Sequence, residues 1–258
     1  MLIAQLTDFH VTVAGARVGA DVDTRANFAA LAAHVGALVP RPDLLLVSGD
    51  LAEAGVEEEY AFVLAGLRGL GIPFAAVPGN HDRRAPLRAA FGPHAGQEPG
   101  HGGLVLDLPG LRVIGLDTLV EGQGHGAIDP PQLTWLEGVL AGNDGRPVLV
   151  FMHHPPFATG IPAFDAIGLR AGRDGLATLL RGRADIAGLL CGHVHRVMAG
   201  SFAGHRTFIA PSASHQFALD LDTPGSFRVV REASQIALHR VVDGALVSCL
   251  VAGPAAAG

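Results

Sequence analysis

The chain has 258 residues, 49% of them apolar, and a formal net charge of -6. That length and apolar content suit one large domain with a substantial core, and the acidic balance argues against a surface for nucleic-acid polymers. A small anionic substrate stays open, because bound metal ions would reverse the local field.

All 18 basic residues are arginine, a skew to which no function is attached. Cys191 and Cys249 match no zinc motif. Cys191 lies in an apolar run and reads as a buried thiol, and nothing supports a disulfide between the two. The longest apolar runs are strand-sized and too short to span a bilayer, so no membrane contact is expected. Residues 1–8 read as a strand, without the basic leader or cleavage site of a signal peptide, and a cytoplasmic protein is the expectation.

In chain order, residues 2–6 predict a first strand. Thr24 is placed to cap a helix whose apolar face is Phe28, Leu31, Ala32, Val35 and Leu38, at three- and four-residue spacing. Leu44-Leu45-Leu46-Val47 is continuously apolar, as in a strand covered on both faces. A helix over about residues 57–70, with Phe62 and Leu67 inward, leads to a strand at 74–77. This alternation reads as βαβαβ on a mostly parallel sheet. A short helix near 87–91 and a Gly- and His-rich loop over 92–103 precede strands at 104–108 and 111–116, whose Pro109-Gly110 turn predicts a hairpin.

A loop at 121–129 leads to a helix carrying Leu133, Leu136 and Leu140, then to an apolar strand at 148–152. A proline-bearing loop, a helix around 176–180 and a strand at 186–191 follow. From Val197 the pattern turns to short strands in hairpins, including 208–210, 227–230, 236–241 and 246–251. One domain over 1–252 with a strand-rich C-terminal part is expected, followed by a disordered tail at 253–258. Two mixed sheets packed face to face with helices outside, a four-layer αββα sandwich of the α/β class, accommodate this order.

Five segments place metal-binding side chains where strands hand over to loops. They are Asp8-Phe9-His10, Gly49-Asp50, Gly79-Asn80-His81-Asp82, His153-His154 and Gly192-His193-Val194-His195. Alternate residues of extended chain point the same way, so Asp8 and His10 reach one ion, and His193 and His195 repeat that spacing. Ends of neighbouring parallel strands converge on one sheet edge, where ligands bind in open α/β folds. Each signal alone has a plainer reading as a turn or bend. Their conjunction points to a metal centre of carboxylate, amide and imidazole donors, suited to Mn, Fe, Zn or Co. Trp135 reads as core, His34 as solvated, and His94, His101 and His125 as loop-surface residues. Arg83, Arg84 and Arg196 adjoin the motifs and either meet an anion or are solvated.

The series resembles the calcineurin-like metallophosphoesterase superfamily over about residues 2–216. Within it the chain is similar to the bacterial class III cyclic-nucleotide phosphodiesterases and their glycerophosphodiesterase relatives. The closer features are Gly49-Asp50-Leu51-Ala52-Glu53, Glu59-Tyr60, Val77-Pro78-Gly79-Asn80-His81-Asp82, Gln132-Leu133-Thr134-Trp135-Leu136 and Ser212-Ala213-Ser214-His215-Gln216. The protein serine/threonine phosphatases resemble it less. They carry Asp-Arg-Gly after the Gly-Asp and a Glu after the Asn-His, where this chain has Glu53-Ala54-Gly55 and Asp82.

The resemblance implies a metal-dependent phosphoric diester hydrolase acting on a small phosphodiester. A 3',5'-cyclic nucleotide such as cAMP is first choice, and a glycerophosphodiester or a broader range of diesters is the alternative. Asp8, His10 and His195 would hold the first of two divalent metal ions, Asn80, His153 and His193 the second, with Asp50 bridging. The family ligand lies two residues before the first proline, so His153 is read as the ligand and His154 as a group behind it or against the phosphate. Such a metal pair activates a water and clamps phosphate oxygens. His81 is assigned to leaving-oxygen protonation or charge stabilisation, with Asp82 orienting its ring. Asn80, His81, His154 and His215 are the expected substrate contacts. The resemblance to dimeric relatives implies a homodimer, with the C-terminal strands available as its interface. A non-catalytic scaffold of this fold would have lost donors, and none is missing here; a DNA nuclease is opposed by the acidic balance.

Overall fold

The structure, a computed structural model, describes residues 1–19, 21–96, 103–230 and 232–253. Runs that are apolar without alternation form the central strands, as strands covered on both faces require. β1 (Ile3–Leu6), β2 (Leu44–Val47) and β3 (Phe74–Ala76) are buried throughout. They pair in parallel, Ile3 with Leu44 and Leu45 with Phe74, so all three end at one edge. α1 (Thr24–Gly36) and α2 (Glu57–Gly69) connect them, and α3 (Arg84–Phe91) follows.

Asp23 rather than Thr24 caps α1. Its Oδ1 accepts the Ala26 N–H at 2.9 Å, while the Thr24 hydroxyl accepts the backbone N–H of Thr12 at 3.2 Å. Phe28, Leu31 and Val35 face inward as their spacing predicts, whereas Ala32 and Leu38 are half buried. Phe62 is also half buried, with the Arg25 guanidinium 4.0 Å above its ring.

β4 (Leu104–Leu108) and β5 (Leu111–Gly115) form the expected hairpin. Then come β6 (Gly126–Ala127), α4 (Pro130–Ala141), β7 (Val148–Phe151), α5 (Pro162–Asp165), β8 (Leu169–Ala171), α6 (Arg173–Leu180) and β9 (Ile186–Cys191). α5 and β8 lie in or next to the proline-bearing loop, and both are too short for a hydrophobic period to reveal them. The C-terminal part holds β10 (Met198–Phe202), β11 (His205–Ile209), β12 (Gln216–Phe217), β13 (Val229–Val230), β14 (Gln235–Val242) and β15 (Ala245–Ala252).

The larger strands form two mixed sheets, one in the order β15-β14-β1-β2-β3 and one in the order β10-β11-β9-β7-β5-β4. β14 runs antiparallel to β1, so the last hairpin completes the first sheet. Leu46, Leu149, Phe151 and Leu190 are wholly buried in the layer where the sheets face each other, each worth about 1.5–3 kcal/mol over exposure. Phe28, Leu31, Leu67 and Phe91 seal the helices against the first sheet. Leu136, Leu140, Leu176 and Leu180 seal α4 and α6 against the second. The result is the expected four-layer sandwich.

Cys191 is buried, Cys249 is exposed, and both are free thiols. Gly253, where the expected tail begins, donates its N–H to the Ser234 carbonyl at 2.8 Å. Residues 254–258 and His101 lie outside the described residues. Among the described residues, no helix is long and apolar enough to cross a membrane.

Candidate metal centre

The loops after β1, β2 and β3 of one sheet meet those after β7 and β9 of the other. Side chains stitch the two edges together. His153 Nδ1 donates to the Ser48 carbonyl at 2.8 Å, the Gln5 amide to the Cys191 carbonyl at 2.9 Å, and the His193 N–H to the Asp8 carboxylate at 3.1 Å. Two glycines permit the approach. A Cβ on Gly49 would lie 2.3 Å from the His153 ring, and one on Gly79 would lie 2.1 Å from Asp50 Oδ1.

Asp8, His10, Asp50, His193 and His195 all have positive φ, between 47° and 75°. The alternate-residue argument therefore needs correction: these loops are not extended chain. Left-handed backbone turns both members of each pair into the centre instead. A residue other than glycine costs roughly 1 kcal/mol or more in that conformation, and such strain clusters at functional sites.

The side chains converge on the Asp50 carboxylate. His10 Nε2 and His153 Nε2 lie 3.5 Å and 3.3 Å from Asp50 Oδ2. On one side His195 Nε2 is 3.0 Å from His10 Nε2 and 3.3 Å from Asp8 Oδ1. On the other, Asn80 Oδ1 lies 3.1 Å from His153 Nε2 and 3.0 Å from His193 Nδ1. Among the described residues four overlapping triads, Asp8-His10-His195, Asp8-Asp50-His153, His10-Glu53-His81 and His153-His154-His193, each bring three donor atoms within 4.8 Å of one another. Of the histidine pair, His153 is the one whose ring faces Asp50 and Asn80.

The acceptors behind the imidazole rings fit these donors to cations. Nδ1 of His10, His153 and His195 faces a fixed acceptor: the Glu53 carboxylate at 2.8 Å, the Ser48 carbonyl at 2.8 Å and the His215 carbonyl at 2.8 Å. In the neutral rings each Nδ1 therefore carries the hydrogen and each Nε2 turns its lone pair inward. Between facing nitrogens such as those of His10 and His195 only one proton fits, whereas a metal ion would satisfy both. Burial pushes His193 and His195 below the ordinary imidazole range, keeping them neutral. Burial would raise Asp50, but the charge and hydrogen bond of His153 hold it well below the usual carboxylate range. Burial would likewise lower His153, but Asp50 lifts it to about 9, a proton that metal would displace.

Asp82 does not orient the His81 ring, contrary to expectation. Its buried carboxylate accepts the N–H groups of Leu51, Ala52 and Gly79 at 3.2, 3.1 and 2.9 Å, and the Tyr60 hydroxyl at 3.1 Å. It ties the Asp50 loop to the Asn80 loop. Glu53 holds His81 instead: Nδ1 is 3.2 Å from its carbonyl and 3.3 Å from its carboxylate. Burial alone would lower His81, but the Glu53 hydrogen bond and the Asp50 charge raise it to about 10. Glu53 has no expected role beyond its place among the family features; it stands three residues after Asp50, on the loop whose carboxylate meets His10 Nδ1.

Two of the expected substrate contacts, His154 and His215, lie back from the cleft. His154 is fully buried behind His193, with Nδ1 2.8 Å from the Thr118 hydroxyl. His215 is buried and serves through its carbonyl. Neither is among the residues lining the cleft, while Asn80 and His81 are. Arg84 is committed to Asp117 at 2.7 Å and Arg196 to Glu232 at 2.7 Å. Arg83 is exposed at the cleft. Trp135 packs half-buried on the second outer core. His94 is not a free surface group: it stacks on Phe74 with ring centroids 4.3 Å apart. His34 and His125 are half buried.

The calcineurin-like phosphoesterase family model matches residues 1–197. A probable glycerophosphodiester phosphodiesterase of Arcobacter nitrofigilis is 35% identical over 240 residues, covering 93% of this chain and 88% of the relative. A probable cyclic nucleotide phosphodiesterase of Synechococcus sp. is also 35% identical, covering 88% of this chain and 89% of the relative. Among solved structures, a dimetal phosphatase from Danio rerio shares the fold with a TM-score of 0.71 at 15% identity, over 98% of this chain and 96% of that one. The chain belongs to the calcineurin-like phosphoesterase family.

Proposed function

We propose that the protein is a dinuclear metal-dependent phosphodiesterase hydrolysing a small phosphodiester, a 3',5'-cyclic nucleotide such as cAMP first and a glycerophosphodiester second. The observation carrying this reading is the inward convergence of donors on both sides of Asp50. Asp8, His10 and His195 would hold one divalent ion, Asn80, His153 and His193 the other, and Asp50 both. Mn, Fe, Zn or Co bound there would lower the pKa of a water and neutralise charge on the phosphate oxygens.

The chain's own groups do the rest. Asn80 and His81 line the cleft and meet the phosphate. With its Nδ1 engaged by Glu53, His81 has Nε2 left to give a proton to the leaving ester oxygen as the P–O bond breaks. The water oxygen stays on phosphorus and the product is a monoester.

The Arcobacter relative favours the glycerophosphodiester reading and the Synechococcus relative the cyclic-nucleotide one. The complete donor set disfavours a non-catalytic scaffold. β15 is an edge strand with Val247 and Cys249 outward, and a homodimer through this edge is part of the proposal. The test is turnover with manganese of cAMP, glycerophosphocholine, bis(4-nitrophenyl) phosphate and 4-nitrophenyl phosphate. Diesters are expected to react, and turnover of the monoester alone would end the proposal.

A further inference from the structure

The cleft has two unlike sides. Toward Glu53, His81 and Arg83 it opens into a space of about 720 Å³ bordered by Glu121 and Gln123. Directly over the donor cluster lies a smaller cavity of about 200 Å³ whose other wall is Phe164, Ile167, Phe217 and Phe227. The three phenylalanines come from α5, β12 and the segment before β13. Their ring centroids are 5.6, 5.2 and 5.8 Å apart, which makes one continuous aromatic surface. It joins the centre without a gap: Phe217 stands 4.6 Å from the His195 ring and Phe164 5.7 Å from the His193 ring.

From this, and resting on the diesterase reading above, we infer that the Phe164-Phe217-Phe227 wall is a specificity subsite for a flat, uncharged aromatic substituent on the phosphate, such as an aryl group or a nucleobase. Phe227 is 45% exposed, an aromatic ring left partly in water beside the site, and a planar ligand would cover it. Tilted and edge-on rings of this spacing match the geometry aromatic groups prefer with one another. A quaternary ammonium also binds aromatic faces. Against it, Asp50 is the one carboxylate lining this cavity among the described residues, and the metal centre would use it, so among those residues no anionic group is free to balance a cation. A glycerol group would place hydroxyls against phenylalanine carbons that offer no hydrogen bond.

Binding of monoester ligands to the metal-loaded protein tests the subsite without relying on turnover. Phenyl phosphate should bind about ten-fold more tightly than methyl phosphate, the size of one good aromatic contact. Phe227→Ala and Phe217→Ala should each shrink that ratio toward one, and Phe227→Tyr should keep it. Equal affinities in the wild type, or a ratio unmoved by both alanine variants, would overturn the inference. So would phosphocholine binding more tightly than phenyl phosphate. If the ratio behaves as expected while no diester is hydrolysed, the subsite stands and the diesterase reading falls.

Discussion

Oε2 of Glu53 lies 2.8 Å from Nδ1 of His10. The same carboxylate oxygen is 3.3 Å from Nδ1 of His81, so one side chain supports both a candidate metal ligand and the candidate proton donor. Carboxylates behind ligating imidazoles fix ring orientation and strengthen the donor, and losing one costs roughly 10–100-fold in metal affinity. Glu53→Ala is expected to weaken manganese binding by about that factor and to lower kcat. Glu53→Gln, which keeps an acceptor oxygen, should lose less. Calorimetric titration of chelator-stripped protein reads the affinity, and unchanged binding in Glu53→Ala would remove this role.

Asp82 and His81 are neighbours with separable tasks. Asp82→Ala would leave the buried N–H groups of Leu51, Ala52 and Gly79 without their acceptor, each costing about 1–3 kcal/mol where water cannot reach. A fall in the denaturation midpoint is expected, together with weakened metal binding as the Asp50 loop shifts. His81→Ala removes a half-buried ring and no such anchor. It should bind metal nearly as well as the wild type while kcat falls about 10²-fold or more. Metal loss in His81→Ala would show that its role is structural.

His239 gives the fold an acid sensitivity away from the candidate centre. It is buried in the first sheet, Nε2 donating to Gln5 Oε1 at 3.1 Å and Nδ1 accepting from the Ser248 hydroxyl at 2.8 Å. Burial lowers it to about 3, against an ordinary value of about 6.5 in the unfolded chain. Below about pH 6.5 the unfolded chain takes up a proton that the folded one refuses until about pH 3. Stability is therefore lost as pH falls through that window, by roughly 1.4 kcal/mol per unit at most, and unaffected by this group above it. Between pH 7.5 and pH 5 the wild type should lose about 2 kcal/mol more than His239→Gln in denaturant titrations. Equal losses would contradict the assignment.

The sheets were legible because their central strands are apolar without interruption: Leu44–Val47 and Val148–Phe151 admit few other fates. The donor residues were legible for a related reason, since parallel strands put their ends together. What the sequence leaves hidden depends on contacts between segments far apart in it. Nothing local distinguishes Asp23 from Thr24 as a cap until Thr12 arrives to engage the Thr24 hydroxyl. Asp82 follows His81 in sequence, yet its carboxylate turns to the Asp50 loop, which left Glu53 to face the ring. Positive φ at Asp8 and His10 leaves no mark on composition, so the extended backbone expected there is replaced by left-handed turns. Phe217 and Phe227 flank a poorly patterned stretch, and only folding sets them beside Phe164.

The most direct measurement is the number of divalent ions regained per chain when chelator-stripped protein is titrated with manganese and its hydrolysis of bis(4-nitrophenyl) phosphate is followed. Two ions per chain are expected, with activity absent before addition and restored by the second. In Asp50→Ala both sites should weaken together, since one carboxylate faces the donors of each. Full turnover by the stripped protein, or a single ion sufficing for full activity, would contradict a centre built from Asp8, His10, Asp50, Asn80, His153, His193 and His195.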